Sequence, residues 1–363
     1  MPRCIGRRRA GFHPRGQRKI FTRIDNECYE RKGMESRDRI MGDANFWTSR
    51  VMLTAAELDV FTHLDDGALT SLKLAECIGC DPRATDRLLD ALAALDLLDK
   101  EGDLFSLSAE GRLLSSKQPE TMLPMLLHFS GLWRAWGQLT TVVREGKPAA
   151  RVDGQTDEAF RKAFIGAMDA ASRELSLRIV DAFDGARFKR LLDIGGASGT
   201  YTRAFLRKNA RMTAVLFDLP PVIPIAREKM EAEGLMERVV LAPGDYNRDP
   251  LPTGCDLALL FAVIHQNSAA ENLALFRKIH GVLEPGGVLL IRDFIMDSSR
   301  TTPKSGTLFA LNMLVNTQSG DTYTFDEISA SLGDAGFANI ELLRGRGGQD
   351  DLVRAEKKGT SGK

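Results

Sequence analysis

Residues 190–199 read Arg190-Leu191-Leu192-Asp193-Ile194-Gly195-Gly196-Ala197-Ser198-Gly199, and Tyr201-Thr202-Arg203-Ala204-Phe205-Leu206-Arg207 follows shortly after. An apolar strand closes on an acid, and a glycine-rich turn then opens into a helix. Glycine lets the backbone approach a ligand closely, and the first turn of a helix offers N–H groups with no partner inside the helix. A dinucleotide fingerprint G-x-G-x-x-G ending at Gly199 requires glycine at position 194, where Ile194 stands. The pattern is instead D-x-G-G-x-x-G, headed by Asp193.

Outward from this turn the texture is regular. Short apolar runs at 191–194, 214–217, 239–241, 257–263 and 288–291 alternate with helical patterns at 201–209, 221–233 and 271–283. Continuous apolar strands alternating with helices predict a parallel sheet, doubly wound and Rossmann-like, covered on both faces. Two further strands, 340–343 and 352–355, flank the glycine-rich 345–348 and predict a closing hairpin.

In such a sheet the ligand lies beyond the carboxyl ends of the strands, and those ends carry acids. Asp193 and Gly195, Gly196 and Gly199 follow the first strand, and Asp218-Leu219-Pro220 follows the second. A carboxylate in Asp218's place can accept both hydroxyls of a ribose. Gly244-Asp245-Tyr246 follows the third strand, an acid for an adenine amino group and a ring to cover the base. Three such acids on successive strands point to a nucleoside. With no pyrophosphate fingerprint, the pattern fits S-adenosylmethionine. After the fourth strand comes Ile264-His265-Gln266-Asn267, and after the fifth Asp293. A histidine there has an ordinary pKa suited to general-base work, and a neighbouring carboxylate can fix its tautomer.

The remaining sequence bounds the answer. At 363 residues, 43% hydrophobic and 27% charged, the chain has room for two domains. Zero formal net charge gives no field toward nucleic acid or membrane, and no apolar run reaches the roughly 20 residues needed to span a bilayer. A cytoplasmic protein is expected. Five scattered cysteines argue against a disulfide framework, and Cys77-Ile-Gly-Cys80 lacks a second pair or a nearby histidine, so no metal is expected. Residues 1–33 hold ten Lys/Arg and three acids, a net +7, without apolar periodicity. The predicted divisions are a basic, disordered extension (1–40), a winged-helix-like all-α part (41–150), a helical linker and pocket wall (151–185) and the catalytic sheet (186–358). Within the second, residues 44–63, 70–78 and 82–98 read as helices, with Asp81 as N-cap and Pro82 at the first position, and a hairpin follows around Glu101-Gly102-Asp103. The third helix carries Asp86, Asp90 and Asp96 against Arg83 and Arg87, a poor surface for phosphate. Its leucines predict packing, within the chain or against a second subunit.

In combination, these motifs, with Leu283-Glu-Pro-Gly-Gly287, resemble the class I small-molecule O-methyltransferases of the plant caffeate and animal acetylserotonin type, in particular their bacterial members. The resemblance covers about residues 41–357. It implies an N-terminal dimerisation domain and a homodimer, and it implies that His265 deprotonates the hydroxyl of a small aromatic or polyketide-like metabolite. The chain departs from the family where plant members have His-Asp-Trp, since His265-Gln266-Asn267 stands there. The first supporting glutamate falls at Asp293, and the second at Thr322, which has no carboxylate. Three alternatives stay open: a nicotinamide oxidoreductase, a binding protein that has lost the chemistry, and a relative turned to decarboxylation or hydroxylation.

Overall fold

The computed structural model describes residues 36–149, 158–343 and 351–359. The expectations for residues 1–35 of the basic extension, for most of the break at 146–154 and for the turn at 345–348 lie outside them, whereas residues 36–40, expected to be disordered, lie in a helix. Contacts divide the chain at Arg50/Val51. In the first unit α1 (Ser36–Ala44) has no buried residue, and the Asn45 side chain accepts the Trp47 N–H at 2.9 Å where α2 (Trp47–Glu57) begins.

In the second unit the expected single helix over 44–63 is interrupted. Asp59 takes a left-handed conformation (φ 54°), and α3 (Val60–Leu64) starts afresh beyond it. β1 (Leu69–Thr70) precedes α4 (Ser71–Ile78), whose N-cap Thr70 accepts the Lys73 N–H at 3.2 Å. α5 (Pro82–Ala94) has the predicted cap, Asp81 accepting the Ala84 N–H at 2.8 Å, with Pro82 at the first turn. It ends four residues earlier than its leucine pattern suggested. Asp96 turns left-handed (φ 59°), and Leu98 leaves for the hairpin of β2 (Leu98–Glu101) and β3 (Leu104–Leu107). β1 adds to β3, so this part carries a three-stranded sheet and is not all-α. Its core is Phe61, Leu74, Leu89, Leu92 and Phe105.

The helical stretch follows as α6 (Ala109–Arg112), α7 (Leu123–Trp136), α8 (Leu139–Glu145) and the 25-residue α9 (Glu158–Ala182). Then come β4 (Arg190–Ile194), α10 (Thr200–Lys208), β5 (Thr213–Asp218), α11 (Ile223–Ala232), β6 (Val239–Pro243), β7 (Cys255–Phe261), α12 (Ala269–Val282) and β8 (Leu283–Arg292). The chain closes with β9 (Ile295–Met296), α13 (Lys304–Asn316), β10 (Tyr323–Thr324), α14 (Phe325–Asp334), β11 (Phe337–Leu343) and β12 (Leu352–Lys357).

Seven strands form one sheet in the order β11-β12-β8-β7-β4-β5-β6. β4 to β8 pair in parallel, whereas at one edge β12 pairs antiparallel with both β8 and β11. The period-2 alternation of side chains divides the core. Leu192, Ile194, Val215, Phe217, Ala258 and Leu260 lie in one layer, and Leu191, Ala214, Leu216, Leu257, Leu259 and Phe261 in the other. The sequence runs outward from β4 to β5 and β6, then returns to β7 on its other side. The order therefore reverses between β4 and β7, where such sheets open a crevice for ligand.

Candidate active site

The glycine turn is strung between the carboxyl ends of β4 and β5. Gly195 donates its N–H to the Phe217 carbonyl at 2.8 Å, and Ala197 donates to Asp218 Oδ2 at 2.7 Å. Gly199 is left-handed (φ 78°), which favours glycine, and a Cβ there would stand 2.2 Å from the Met230 methyl, which would have to move. At Gly196 a Cβ would meet the Asp193 carboxyl at 2.9 Å. Asp193 itself is buried beneath the turn, where it accepts a hydrogen bond from Thr202 Oγ1 at 2.6 Å. Burial pushes its pKa up to about 6, opposed by the Thr202 hydroxyl and assisted by the charge of Asp218.

Asp218 ends β5, with Leu219 N–H donating to its second oxygen at 2.7 Å. Burial raises its pKa, against two backbone N–H donors that favour the charge. Leu219 is half exposed beside it. At the end of β6, Gly244 N–H donates to the Asp218 carbonyl, which ties the third strand end to the second. Asp245 accepts the Asn247 N–H at 2.9 Å and remains partly exposed. Tyr246 packs against the core, its hydroxyl pushed up to about 12 by burial. Lys278 Nζ holds this loop through the carbonyls of Tyr246 (2.6 Å) and Asp249 (2.9 Å).

Across the switch point, His265 occupies a 3-10 turn (Ile264–Gln266) after β7, and Asp293 follows β8. His265 Nδ1 lies 2.9 Å from both Asp293 oxygens, and both residues are buried. Burial alone would raise the Asp293 pKa, but the charge and hydrogen bond of His265, with the Phe294 N–H, bring it below the ordinary value. An ionised Asp293 accepts a hydrogen bond from Nδ1–H, so in the neutral imidazole Nε2 carries the lone pair. Phe309 of α13 stacks edge-on against the imidazole (centroids 4.8 Å apart), and Phe294 packs on Phe309. Trp136 Nε1 donates to Asn312 Oδ1 on the same helix at 2.9 Å, joining α7 to this wall.

Several of these contributors escaped the sequence. α13 was not read as a helix, so Phe309 went unnoticed. Asn272, inside an expected helix, reaches back to the Ile264 carbonyl at 2.9 Å, and Tyr323 donates to the Asn267 carbonyl at 2.5 Å. Thr322 is buried with its carbonyl accepting from Arg300 at 2.9 Å, and no carboxylate stands in its place.

The residues present suit S-adenosylmethionine. A narrow glycine turn faces a carboxylate held at the neighbouring strand end. The Tyr201 hydroxyl, two residues past Gly199, is buried without a hydrogen-bond partner among the described residues. The sheet order and the turn define the class, a doubly wound α/β protein of the class I methyltransferase fold. Comparison with known proteins agrees. The O-methyltransferase domain profile matches residues 136–338 and the O-methyltransferase dimerisation domain profile residues 43–117. The tetracenomycin polyketide synthesis 8-O-methyltransferase TcmO of Streptomyces glaucescens is 33% identical over 303 residues, 81% of this chain and 89% of TcmO. Human N-acetylserotonin methyltransferase, solved with SAM, superposes with a TM-score of 0.78 at 25% identity, covering 90% of this chain and 99% of the human one. PigF, solved with SAH, gives 0.81 at 25% identity, covering 89% and all of the respective chains. The chain belongs to the O-methyltransferase family.

Proposed function

We propose that this S-adenosylmethionine-dependent enzyme methylates a hydroxyl of a small aromatic or polyketide-like metabolite, with His265 as the general base and Asp293 as its support. The observation that carries the reading is the buried His265–Asp293 pair at 2.9 Å, on the ligand edge of the sheet and walled by Phe309. The aromatic wall suits a flat substrate, and the kinship with TcmO supports the substrate class.

S-adenosylmethionine, when bound, supplies a methyl group on a sulfonium, already activated toward a nucleophile. Gly195, Gly196 and Gly199 take its amino-acid end, with Asp193 supporting the turn from below. Asp218 and Leu219 take the ribose, and Asp245 and Tyr246 the adenine. The protein's remaining work is alignment and proton removal. Holding the hydroxyl oxygen in line is worth about 7–11 kcal/mol in well-oriented reactions. His265 Nε2 accepts the hydroxyl proton, and Asp293 stabilises the imidazolium that results. Residues 41–150 form the dimer, 151–185 the linker and pocket wall, and 186–358 the catalytic domain of a cytoplasmic homodimer, with 1–40 outside this machinery.

Substitution separates these roles. His265→Ala should leave cofactor affinity unchanged and lower turnover of a neutral hydroxyl by roughly 10²–10⁴-fold. Asp293→Asn should cost less, because it keeps shape and a hydrogen bond. The His265→Ala defect should shrink on a hydroxyl already ionised at the assay pH. Turnover of a neutral hydroxyl within a few-fold of wild type would remove His265 from the mechanism.

A second reading draws on Thr322, which stands where a supporting glutamate was expected: a relative that binds the cofactor but decarboxylates or hydroxylates its substrate. Mass spectrometry of the product separates the two, since only methyl transfer adds one methylene mass.

A further inference from the structure

One buried carboxylate near the glycine turn has no part in the assignments above. Asp169 lies midway along α9, outside the sheet, and is 7% exposed. Its Oδ1 accepts from Ser198 Oγ at 3.0 Å, from Thr200 Oγ1 at 2.5 Å and from Arg203 Nη2 at 2.5 Å. The two hydroxyls are themselves 3.0 Å apart, and Arg203 also reaches Thr200 Oγ1 at 3.3 Å. The other arm of Arg203 pairs with Glu233, just past α11, and Arg173 Nη2 stands 3.5 Å from Asp169 Oδ2. Burial favours the neutral acid, yet the Thr200 hydroxyl, the Arg203 charge and the Ser198 hydroxyl bring its pKa below the ordinary value. Asp169 is therefore a carboxylate.

Its three donors are consecutive pieces of one feature. Ser198 is in the turn, Thr200 is the first residue of α10, and Arg203 lies one helical turn on. Gly199, left-handed and standing where a Cβ would run into Met230, sits between the two hydroxyl donors. Asp218 holds the same turn from the other side through Ala197 N–H. The turn is thus gripped at two points: by Asp218 on the ribose side and by Asp169 where the helix begins. An apolar packing residue would fill the space of Asp169 at no desolvation cost, and a buried charge is weak evidence for a purely stabilising role. A carboxylate aimed at two hydroxyls and a guanidinium specifies their geometry instead.

We propose that Asp169 is a positioning residue for the cofactor: it fixes the half of the glycine turn that receives the amino-acid end of S-adenosylmethionine. The proposal rests on reading 195–199 as the cofactor turn. It requires that Asp169 affect ligands with the amino-acid arm and leave ligands without it alone.

The test uses the full-length protein and two probes in calorimetric titration: S-adenosylhomocysteine, which has the arm, and 5′-methylthioadenosine, which lacks it. Asp169→Asn should weaken S-adenosylhomocysteine roughly tenfold or more, as for loss of charge-assisted hydrogen bonds. Methylthioadenosine should stay within about twofold of wild type, because the ribose and adenine contacts are intact. Thr200→Val should act in the same direction, and the double variant should be little worse than the more damaging single variant, because one weakens and the other removes the same hydrogen bond. If Asp169→Asn does not fold, Thr200→Val and Ser198→Ala carry the same two-probe comparison. Equal losses for both probes, or no loss for S-adenosylhomocysteine, would overturn the proposal. Asp218→Ala is the control: it should weaken both probes, and if it weakens neither, the cofactor assignment fails rather than the role of Asp169.

Discussion

Asp193 destabilises the fold it belongs to. Buried beneath Gly196, its carboxyl titrates near pH 6, above the ordinary 3.8, chiefly because burial penalises the charge. Below pH 3.8 the group is protonated in both folded and unfolded chains and has no effect. As pH rises toward 6 the unfolded chain ionises while the folded one retains its proton, so stability is lost over that window and stays lost above it. Asp193→Asn cannot titrate, and its amide oxygen still accepts from Thr202. Its advantage over wild type should therefore grow by about 2–3 kcal/mol between pH 4 and pH 7, by urea unfolding at each pH. A difference independent of pH would mean that Asp193 titrates normally. The Asp293 carboxyl shows the opposite outcome of equal burial: His265 beside it brings its pKa down.

At the scale of elements, the 3-10 turn bearing His265 is too short to hold itself. Three side-chain contacts hold it. Asn272 donates to the Ile264 carbonyl, Asn267 donates to Asn272 Oδ1 at 3.1 Å, and Tyr323 donates to the Asn267 carbonyl. Tyr323 is in turn fixed by the parallel pairing of β10 with β9, Tyr323 opposite Ile295, so the segment just beyond Asp293 also sets the histidine turn. Gly320 completes the fit, since a Cβ there would lie 2.4 Å from the His265 carbonyl. Tyr323→Phe leaves a buried carbonyl without its donor and should cost about 1–3 kcal/mol in unfolding free energy. It should also lower kcat while the affinity for S-adenosylhomocysteine holds. A drop in cofactor affinity with kcat intact would mean that β10 serves the nucleoside side instead.

For the whole molecule, the O-methyltransferase dimerisation profile gives residues 43–117 a role distinct from the sheet. Leu72, Leu104 and Leu113 of the three-stranded part are exposed, and Ile40, Met41, Phe46 and Trp47 are exposed around α1. The expected outcome in multi-angle light scattering at micromolar concentration is the mass of a dimer. A chain lacking residues 1–35 should keep that mass and its turnover, since the basic segment has no part in the proposed site. A monomer, in either form, would count against the homodimer.

The strand ends were legible in the sequence because the chemistry there is local. A continuous apolar run followed by an acid and glycines places Asp193, Gly195, Gly199, Asp218, Asp245 and His265 on one edge as soon as the strands are parallel. The five parallel strands followed from the same alternation, and the antiparallel edge from the hairpin expected of the two closing strands. Helix ends were less legible. Asp59 and Asp96 break helices by adopting left-handed backbone, which no apolar period reports, and the leucines after Ala94 belong to a hairpin although they continue the helical spacing. Tertiary structure alone brought together the groups that hold the site. Asp169 meets Ser198 and Thr200 from about thirty residues away, Phe309 meets His265 from over forty, and Tyr323 meets Asn267 from more than fifty. Local sequence sets which backbone conformations are favourable. Partners so distant are chosen by packing, which depends on the whole chain at once.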